Sequence, residues 1–106
     1  MSERVTAEEY RELLRHGTMS VGLYTPHEID KQSPHEQDEV YIVASGRATF
    51  ALADQRTACE SGDVLFAPAG AAHRFEDFSD DFAVWVVFYG PAGGEHAAEA
   101  DEGANQ

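Results

Sequence analysis

The sequence has one cysteine, few cationic residues and no long hydrophobic run, and each of these shortages excludes a type of bond, partner or location. Cys59 has no second cysteine in the chain with which to form a disulfide, which is typical of a protein from a reducing compartment. Only 7 Lys and Arg residues stand against 20 Asp and Glu residues, so the formal net charge is −13. Phosphate backbones and anionic membrane surfaces are bound through clustered cations. We therefore expect neither a nucleic acid nor a membrane as a partner.

The hydrophobic runs are also too short to cross a bilayer. The longest, residues 82–89, has about a third of the length that a spanning helix needs. No basic-then-apolar segment at the N terminus has the pattern of a signal peptide. These features predict a cytoplasmic protein. A chain of 106 residues and 11.6 kDa is the size of one domain with a single core.

The first 18 residues have the pattern of a short helix. Thr6 and Glu9 stand at the spacing of a capping box, and Gly17 is a suitable C-terminal stop. We expect this N-terminal helical segment, residues 1–18, to pack Tyr10, Leu13 or Leu14 against the domain.

From residue 19 to residue 90 the pattern changes to short strands separated by turn residues. Many short strands at close spacing, with Gly and Pro between them, are typical of an all-β sandwich or barrel. The predicted strands are residues 19–25, 40–44, 47–53, 57–59, 64–67, 72–75 and 82–89. Residues 91–106 are rich in Gly, Ala and acidic residues without periodicity, so we expect a disordered acidic tail.

The last predicted strand is apolar on both of its faces. One face can fill the barrel, and the other needs a second sheet, the N-terminal helix or another subunit. This favours a homodimer. The aromatic residues Tyr41, Phe50, Phe75 and Trp85 are interpreted as core residues that could also line a pocket.

The most informative stretch begins at Pro34 and ends at Gly46. His35 and Glu39 lie four residues apart and lead directly into a β-branched and aromatic strand. If Glu39 points into the core, the period of two sends Tyr41 and Val43 the same way. A buried carboxylate needs a cation, a proton or a metal as compensation. A second histidine, for which His73 is the candidate, would complete a two-histidine, one-carboxylate set of the kind that binds divalent transition metals.

Two spacings in the chain resemble the two sequence motifs of the cupin superfamily. His35, Glu39 and Gly46 match the first, and the second contains Gly62, Pro68, Gly70, His73 and Asp77. The resemblance covers roughly residues 20 to 90. It implies a cupin-type double-stranded β-helix, or jelly-roll barrel, that holds a metal inside.

The chain departs from the cupin pattern at two positions. Ser33 stands where the first motif has its first histidine, and Asp77 stands where the second motif ends in asparagine. The remaining ligand set is His35, Glu39 and His73, which suits Fe, Mn, Ni or Zn and leaves coordination positions open. A fourth ligand could be Gln37, His27 or water.

The resemblance leaves several functions open. In one, the metal supports oxygenase-like or isomerase-like chemistry on a small organic molecule, with Tyr41 or Gln37 as an acid, base or orienting group. In another, the barrel is a non-catalytic module that binds or senses a small ligand, and its metal site is structural or vestigial. Metal-independent epimerase chemistry ranks last, because such cupins resemble larger barrels with basic residues for phosphates.

Overall fold

The computed structural model describes residues 9–30 and 34–95, and these residues form strands joined by turns and loops, with no helix among them. Eight strands follow one another: β1 (Tyr10–His16), β2 (Met19–Tyr24), β3 (Asp38–Ser45), β4 (Arg47–Leu52), β5 (Gln55–Glu60), β6 (Val64–Ala67), β7 (His73–Glu76) and β8 (Ala83–Tyr89). They form a five-stranded sheet in the order β1-β2-β8-β3-β6 and a three-stranded sheet in the order β5-β4-β7. Every strand pair is antiparallel. The prediction of a jelly-roll barrel is confirmed.

The N-terminal helix prediction is wrong. Residues 10–16 form β1, an edge strand that pairs with β2 through the turn at Gly17, where φ is +59°. A helix of so few residues gains little by itself, whereas pairing with β2 satisfies the backbone groups of both strands. The capping-box residue Thr6 lies outside the described residues.

The core lies between the two sheets. Along β3, Glu39, Tyr41 and Val43 are no more than 2% exposed, whereas Ile42 is 37% exposed. The predicted inward face of this strand is therefore confirmed. The buried hydrophobic residues around it include Tyr24, Phe50, Phe75, Phe82, Val84 and Val86.

One of the four aromatic residues interpreted as core residues points outward. Trp85 lies on the outer face of β8 and is 36% exposed, because its neighbours Val84 and Val86 occupy the inner face. Asp77 does not share the inner face of His73, because β7 ends at Glu76 and Asp77 turns away with a φ of +53°.

The chain after β8 folds back on the barrel before it leaves the described residues. The amide of Gly93 donates to the carbonyl of Glu36 at 2.7 Å, and the amide of Glu95 donates to Oδ2 of Asp38 at 2.8 Å. The remainder of the predicted tail, residues 96–106, lies outside the described residues. No helix among the described residues combines the length and the apolarity that a bilayer crossing requires.

Candidate metal centre

Three elements bring His35, Glu39 and His73 together. His35 lies in the loop before β3, Glu39 is the second residue of β3, and His73 is the first residue of β7 in the other sheet. One ligand atom from each of these side chains lies within 4.8 Å of the other two. The three ligands predicted from the sequence thus converge at one end of the core.

The distances within this group suit one shared ion. Nε2 of His73 lies 3.1 Å and Nε2 of His35 lies 3.9 Å from Oε1 of Glu39. Two ligand atoms that share a zinc-sized ion at about 2.1 Å lie about 3 to 3.5 Å apart. The His73 contact falls in this range, and the His35 contact is slightly longer.

The tautomer of His73 explains why a cation belongs here. Its Nδ1 lies 2.9 Å from the carbonyl oxygen of Ala71. Because a carbonyl only accepts hydrogen bonds, Nδ1 carries the proton, and Nε2 of the neutral imidazole presents a lone pair toward Glu39. Two acceptors therefore face each other across 3.1 Å in a site that is almost sealed from water. Within the described chain, Nε2 of His73 and both carboxylate oxygens of Glu39 are buried without a hydrogen-bond partner.

The two histidines differ in their electrostatics. Burial lowers the pKa of His35 by more than the Glu39 carboxylate raises it, so this pKa lies below its ordinary value. Burial also lowers the pKa of His73, but the Glu39 carboxylate and the Ala71 carbonyl together outweigh burial and leave the pKa raised. Without a metal, a proton on Nε2 of His73 turns this nitrogen into a donor, which can then form a hydrogen bond with the Glu39 carboxylate.

Aromatic rings fix the orientation of both imidazoles. The ring of Phe88 meets His35 edge to face at 4.9 Å between centroids, and Tyr41 lies 6.0 Å from His73. Tyr41 is fully buried and also packs against Phe50 and Phe75. The structure thus places this predicted acid or base directly beside a ligand, as part of the core.

The other candidates from the sequence lie further from the group. The side-chain amide of Gln37 donates to the backbone carbonyls of Thr18 and Gly90, at 2.8 and 2.9 Å. These bonds connect the His35 loop to the turn before β2 and to the residue after β8. His27 is exposed and lies 3.8 Å from a carboxylate oxygen of Glu9. It is not in the ligand group, and Ser33 lies outside the described residues.

Two buried carboxylates that the sequence analysis missed support the ligands. Asp30 accepts hydrogen bonds from the hydroxyl of Tyr24 at 2.6 Å and from the amide of Phe75 at 2.7 Å, which links the loop after β2 to the strand of His73. Asp38 accepts from the amides of Ala69 and Glu95 at 2.9 and 2.8 Å. Nothing in their polar loop or strand-end contexts distinguishes them from surface acids in the sequence.

A cleft of about 470 Å³ opens beside His35. Its lining includes Tyr10, Arg15, Ser20, His35, Gln37 and Phe88. Burial raises the pKa of Tyr10, and the carboxylates of Glu12 and Glu39 raise it further, so the phenol stays a hydrogen-bond donor. The sequence does not indicate this wall of the cleft, because the residues of β1 have the pattern of a helix. The small residues Ser20 and Gly22, alternating with apolar ones in β2, were the available signal for a cavity.

A two-sheet antiparallel barrel with a His-Glu-His cluster at one end of its core is the architecture of a small jelly-roll protein with a candidate metal site. Residues 20–89 match the cupin domain family, Cupin_2, and the chain belongs to this family. It is 46% identical over 84 residues to the uncharacterised protein SCO3923 of Streptomyces coelicolor, a match that covers 77% of this chain and 80% of that protein.

Solved structures share the fold at low sequence identity. A cupin 2 conserved barrel domain protein from Salinispora arenicola superposes with a TM-score of 0.68 at 19% identity, covering 82% of this chain and 80% of that one. KdgF from Halomonas sp. superposes with a TM-score of 0.67 at 17% identity, covering 76% of each chain. These similarities establish the fold, and the site must be interpreted from its own residues.

Proposed function

We propose that the protein is a small cupin that holds one divalent transition metal ion between His35, Glu39 and His73 and binds a small organic molecule over it. The observation that carries this proposal is the pair of facing acceptors, Nε2 of His73 and Oε1 of Glu39, 3.1 Å apart and buried. A cation between them would compensate the carboxylate and use both lone pairs. Fe, Mn, Ni and Zn all accept this ligand set.

The cleft beside His35 supports the second half of the proposal. Its volume of about 470 Å³ lies in the range of small-molecule pockets. Phe88 supplies an apolar surface, and Tyr10 supplies a donor. A bound metal with open positions would polarise an oxygen of the ligand as a Lewis acid. Tyr10 and Ser20 would orient the ligand, and Phe88 would keep water from one side of it.

A non-catalytic binding module is the second candidate. It is favoured by the state of the two predicted acid or base groups, since Tyr41 is fully buried in the core and the amide of Gln37 bonds two backbone carbonyls. In this case the metal would hold the ligand without turnover. The cytoplasmic location and the absence of nucleic-acid partners remain predictions from composition.

The first test is metal content by mass spectrometry on untagged protein purified without chelator. We expect near-stoichiometric metal in the wild type and in the control His16→Ala, whose imidazole lies at the end of β1 outside the ligand group. We expect loss of metal in His35→Ala and in His73→Ala. Wild-type protein that stays metal-free after reconstitution with each candidate ion would refute the metal site.

A second measurement distinguishes a metal ion with coordination positions open to the cleft from a metal ion with a purely structural role. Mn²⁺-loaded protein with coordination positions open to the cleft would enhance the relaxation of bulk water protons. A small molecule that binds in the cleft and displaces this water would reduce the enhancement. A loaded protein without relaxation enhancement has a closed site, which leaves the metal a structural role.

A further inference from the structure

One cross-strand row on the inner face of the five-stranded sheet connects the candidate metal centre to the edge strand β1. The row crosses four neighbouring strands in the order Arg15, Ser20, Phe88 and Glu39. Because neighbouring strands lie about 4.8 Å apart, the backbones of Arg15 and Glu39 are about 14 Å apart. The first three residues of the row line the cleft beside His35. A small molecule in this cleft therefore lies between a guanidinium at one end and the metal ligands at the other.

Arg15 reaches this face because β1 contains a β-bulge. The register of β1 against β2 shifts between Glu12 and Leu14, so Leu13 is an extra residue in the strand. In a regular strand the side chains of Glu12 and Arg15 would point to opposite faces, whereas the extra residue puts both on the inner face. Bulges often redirect a side chain next to a functional site. This bulge directs an arginine into the cleft.

Arg15 is held in place by Glu12 and keeps donors for a ligand. Nε and Nη2 of Arg15 donate to the two carboxylate oxygens of Glu12, at 3.1 and 2.8 Å. A guanidinium has more N–H donors than this pair uses, and those left on Nη1 and Nη2 form a second edge that can bind another carboxylate bidentately. The side chain of Arg15 is 59% exposed, so a ligand can reach this edge. Because Glu12 already holds the guanidinium, binding orders little that is not ordered beforehand.

The lining of the cleft favours a ligand with acceptor oxygens. Among the described residues of the lining, Arg15 is the only Lys or Arg, and Tyr10 and Ser20 add hydroxyl donors. Of the two acids in the lining, Glu12 is paired with Arg15, and Glu36 is exposed, where water screens its charge. On a chain with a net charge of −13, a cation inside the cleft lowers the repulsion that an anion meets there. An amine would face the guanidinium and the metal instead.

We propose that the ligand of the cleft is a small organic acid, with its carboxylate on the free edge of Arg15, its apolar middle against Phe88 and a second oxygen at the metal position. This inference rests on the proposed function, because the metal defines the second end of the ligand site. It makes Arg15 a specificity-determining residue, which distinguishes an acid from a neutral or cationic molecule of the same shape.

The test compares acids with their neutral amides on Zn²⁺-loaded protein. One pair is para-hydroxybenzoate and para-hydroxybenzamide, and a flexible pair is ε-hydroxycaproate and its amide. Dissociation constants come from nuclear magnetic resonance titrations. We expect each acid to bind about tenfold more tightly than its amide, because a charge-assisted bidentate pair replaces a neutral hydrogen bond. The cationic para-hydroxybenzylamine should bind most weakly.

Three variants assign this preference to Arg15. Glu12→Gln should strengthen acid binding, since it removes a competing carboxylate and its repulsion. Glu12→Gln/Arg15→Gln should bind acid and amide alike. The control Arg47→Gln removes an exposed arginine of β4 outside the cleft and should keep the wild-type preference. Circular dichroism should show the wild-type fold in all three, since these side chains are exposed.

Chelator treatment distinguishes failure of this inference from failure of the proposed function. Removal of the metal should weaken acid and amide by the same factor, because both place the same hydroxyl at the metal. An acid preference that disappears on chelation and survives in Glu12→Gln/Arg15→Gln would mean that the metal binds the carboxylate, which overturns this inference and leaves the proposed function intact. An Arg15-dependent preference in protein that never takes up metal would support the role of Arg15 and refute the metal site. Equal binding of acid and amide by the wild type, or no binding of either acid, overturns the inference.

Discussion

Glu39 and His73 form a pair that is unfavourable as the two side chains stand. The carboxylate is 1% exposed, and the nitrogen that faces it has its lone pair directed at it because the Ala71 carbonyl holds the proton on Nδ1. A buried polar atom without a partner costs about 1–3 kcal/mol. Such a pair persists in a fold when something positive, a metal ion or a proton, occupies the space between the atoms.

Replacing the Glu39 carboxylate with an amide should therefore stabilise the metal-free protein and weaken its binding of metal. In Glu39→Gln the new amide can donate to Nε2 of the neutral His73 imidazole. At a pH above the raised pKa of His73 we therefore expect the chelator-treated variant to be more stable than chelator-treated wild type by about 1–2 kcal/mol. Added Zn²⁺ should stabilise the wild type and leave the variant nearly unchanged. Denaturant unfolding with and without Zn²⁺ measures both effects.

The control for this prediction is Glu60→Gln, an exposed glutamate at the end of β5. It should behave as wild type in both conditions. Equal stabilisation of Glu39→Gln and wild type by Zn²⁺ would contradict the assignment of Glu39 as a ligand.

Some of these residues could be predicted from the sequence and others could not. The alternation of β3 placed Glu39, Tyr41 and Val43 inward, and the motif spacing selected His73. Asp38 and Asp30 escaped prediction because their hydrogen bonds go to backbone amides of chain segments that are distant in sequence. A pattern in the local sequence cannot contain that information.

Among the strands, β1 is the one whose local sequence predicts the wrong secondary structure. The capping-box spacing describes what a short isolated segment prefers, but β1 gains its stability from β2 and from the ring of Tyr10, which lies over Gly22. A Cβ on Gly22 would lie 2.6 Å from the Tyr10 ring and 2.7 Å from the carbonyl oxygen of Arg11. Glycine at this position is what lets the two strands approach.

Gly22→Ala should accordingly destabilise the protein by about 2–3 kcal/mol, because the new methyl group forces β1 and Tyr10 away from β2. The comparison is Gly17→Ala in the β1–β2 turn, where φ is +59° but the space around the Cβ is open. It should cost only about 1 kcal/mol. Thermal unfolding of both variants ranks them, and a smaller cost at Gly22 than at Gly17 would argue against this packing.

The turn before β7 and the segment after β8 are joined by the Asp38 carboxylate. This group accepts from Ala69 in the turn that leads to His73, and the amide of Gly70 in the same turn donates to the carbonyl of His35 at 2.8 Å. Asp38 therefore sets the positions of both histidine-bearing segments without touching the ligand group. Gly94 is buried against it, and a Cβ at Gly94 would lie 2.8 Å from Oδ1.

Asp38→Asn should weaken Zn²⁺ binding by about tenfold, as is usual when a group that positions metal ligands is changed. The amide nitrogen would face a backbone N–H where an acceptor is needed. Competition with a fluorescent chelator measures the affinity. Asp63→Ala, which removes the acceptor for the amide of Glu60 at the opposite end of β3, should lower stability without changing the affinity for Zn²⁺. Equal affinities in wild type and Asp38→Asn would contradict the positioning role.

For the whole molecule, the opposite pKa shifts of the two histidines predict how stability depends on pH without metal. The pKa of His35 is lowered on folding, so the unfolded chain binds more protons between that lowered value and about 6.5, and stability rises with pH there. The pKa of His73 is raised, so its contribution is fully present below about 6.5 and is lost as pH rises through the raised value. The two histidines together favour a maximum near pH 6.5.

Metal binding requires both imidazoles without a proton at the coordinating nitrogen, so it strengthens over the pH range in which the metal-free protein loses the His73 contribution. The stability difference between Zn²⁺-loaded and chelator-treated protein should therefore widen as pH rises above about 6.5. Denaturant unfolding of both forms across this range measures the difference. In His73→Gln the alkaline loss in the chelator-treated form should shrink, since no proton is bound at that position in the folded state. A stability difference that stays constant with pH would mean that protons and metal do not compete for the space between His73 and Glu39.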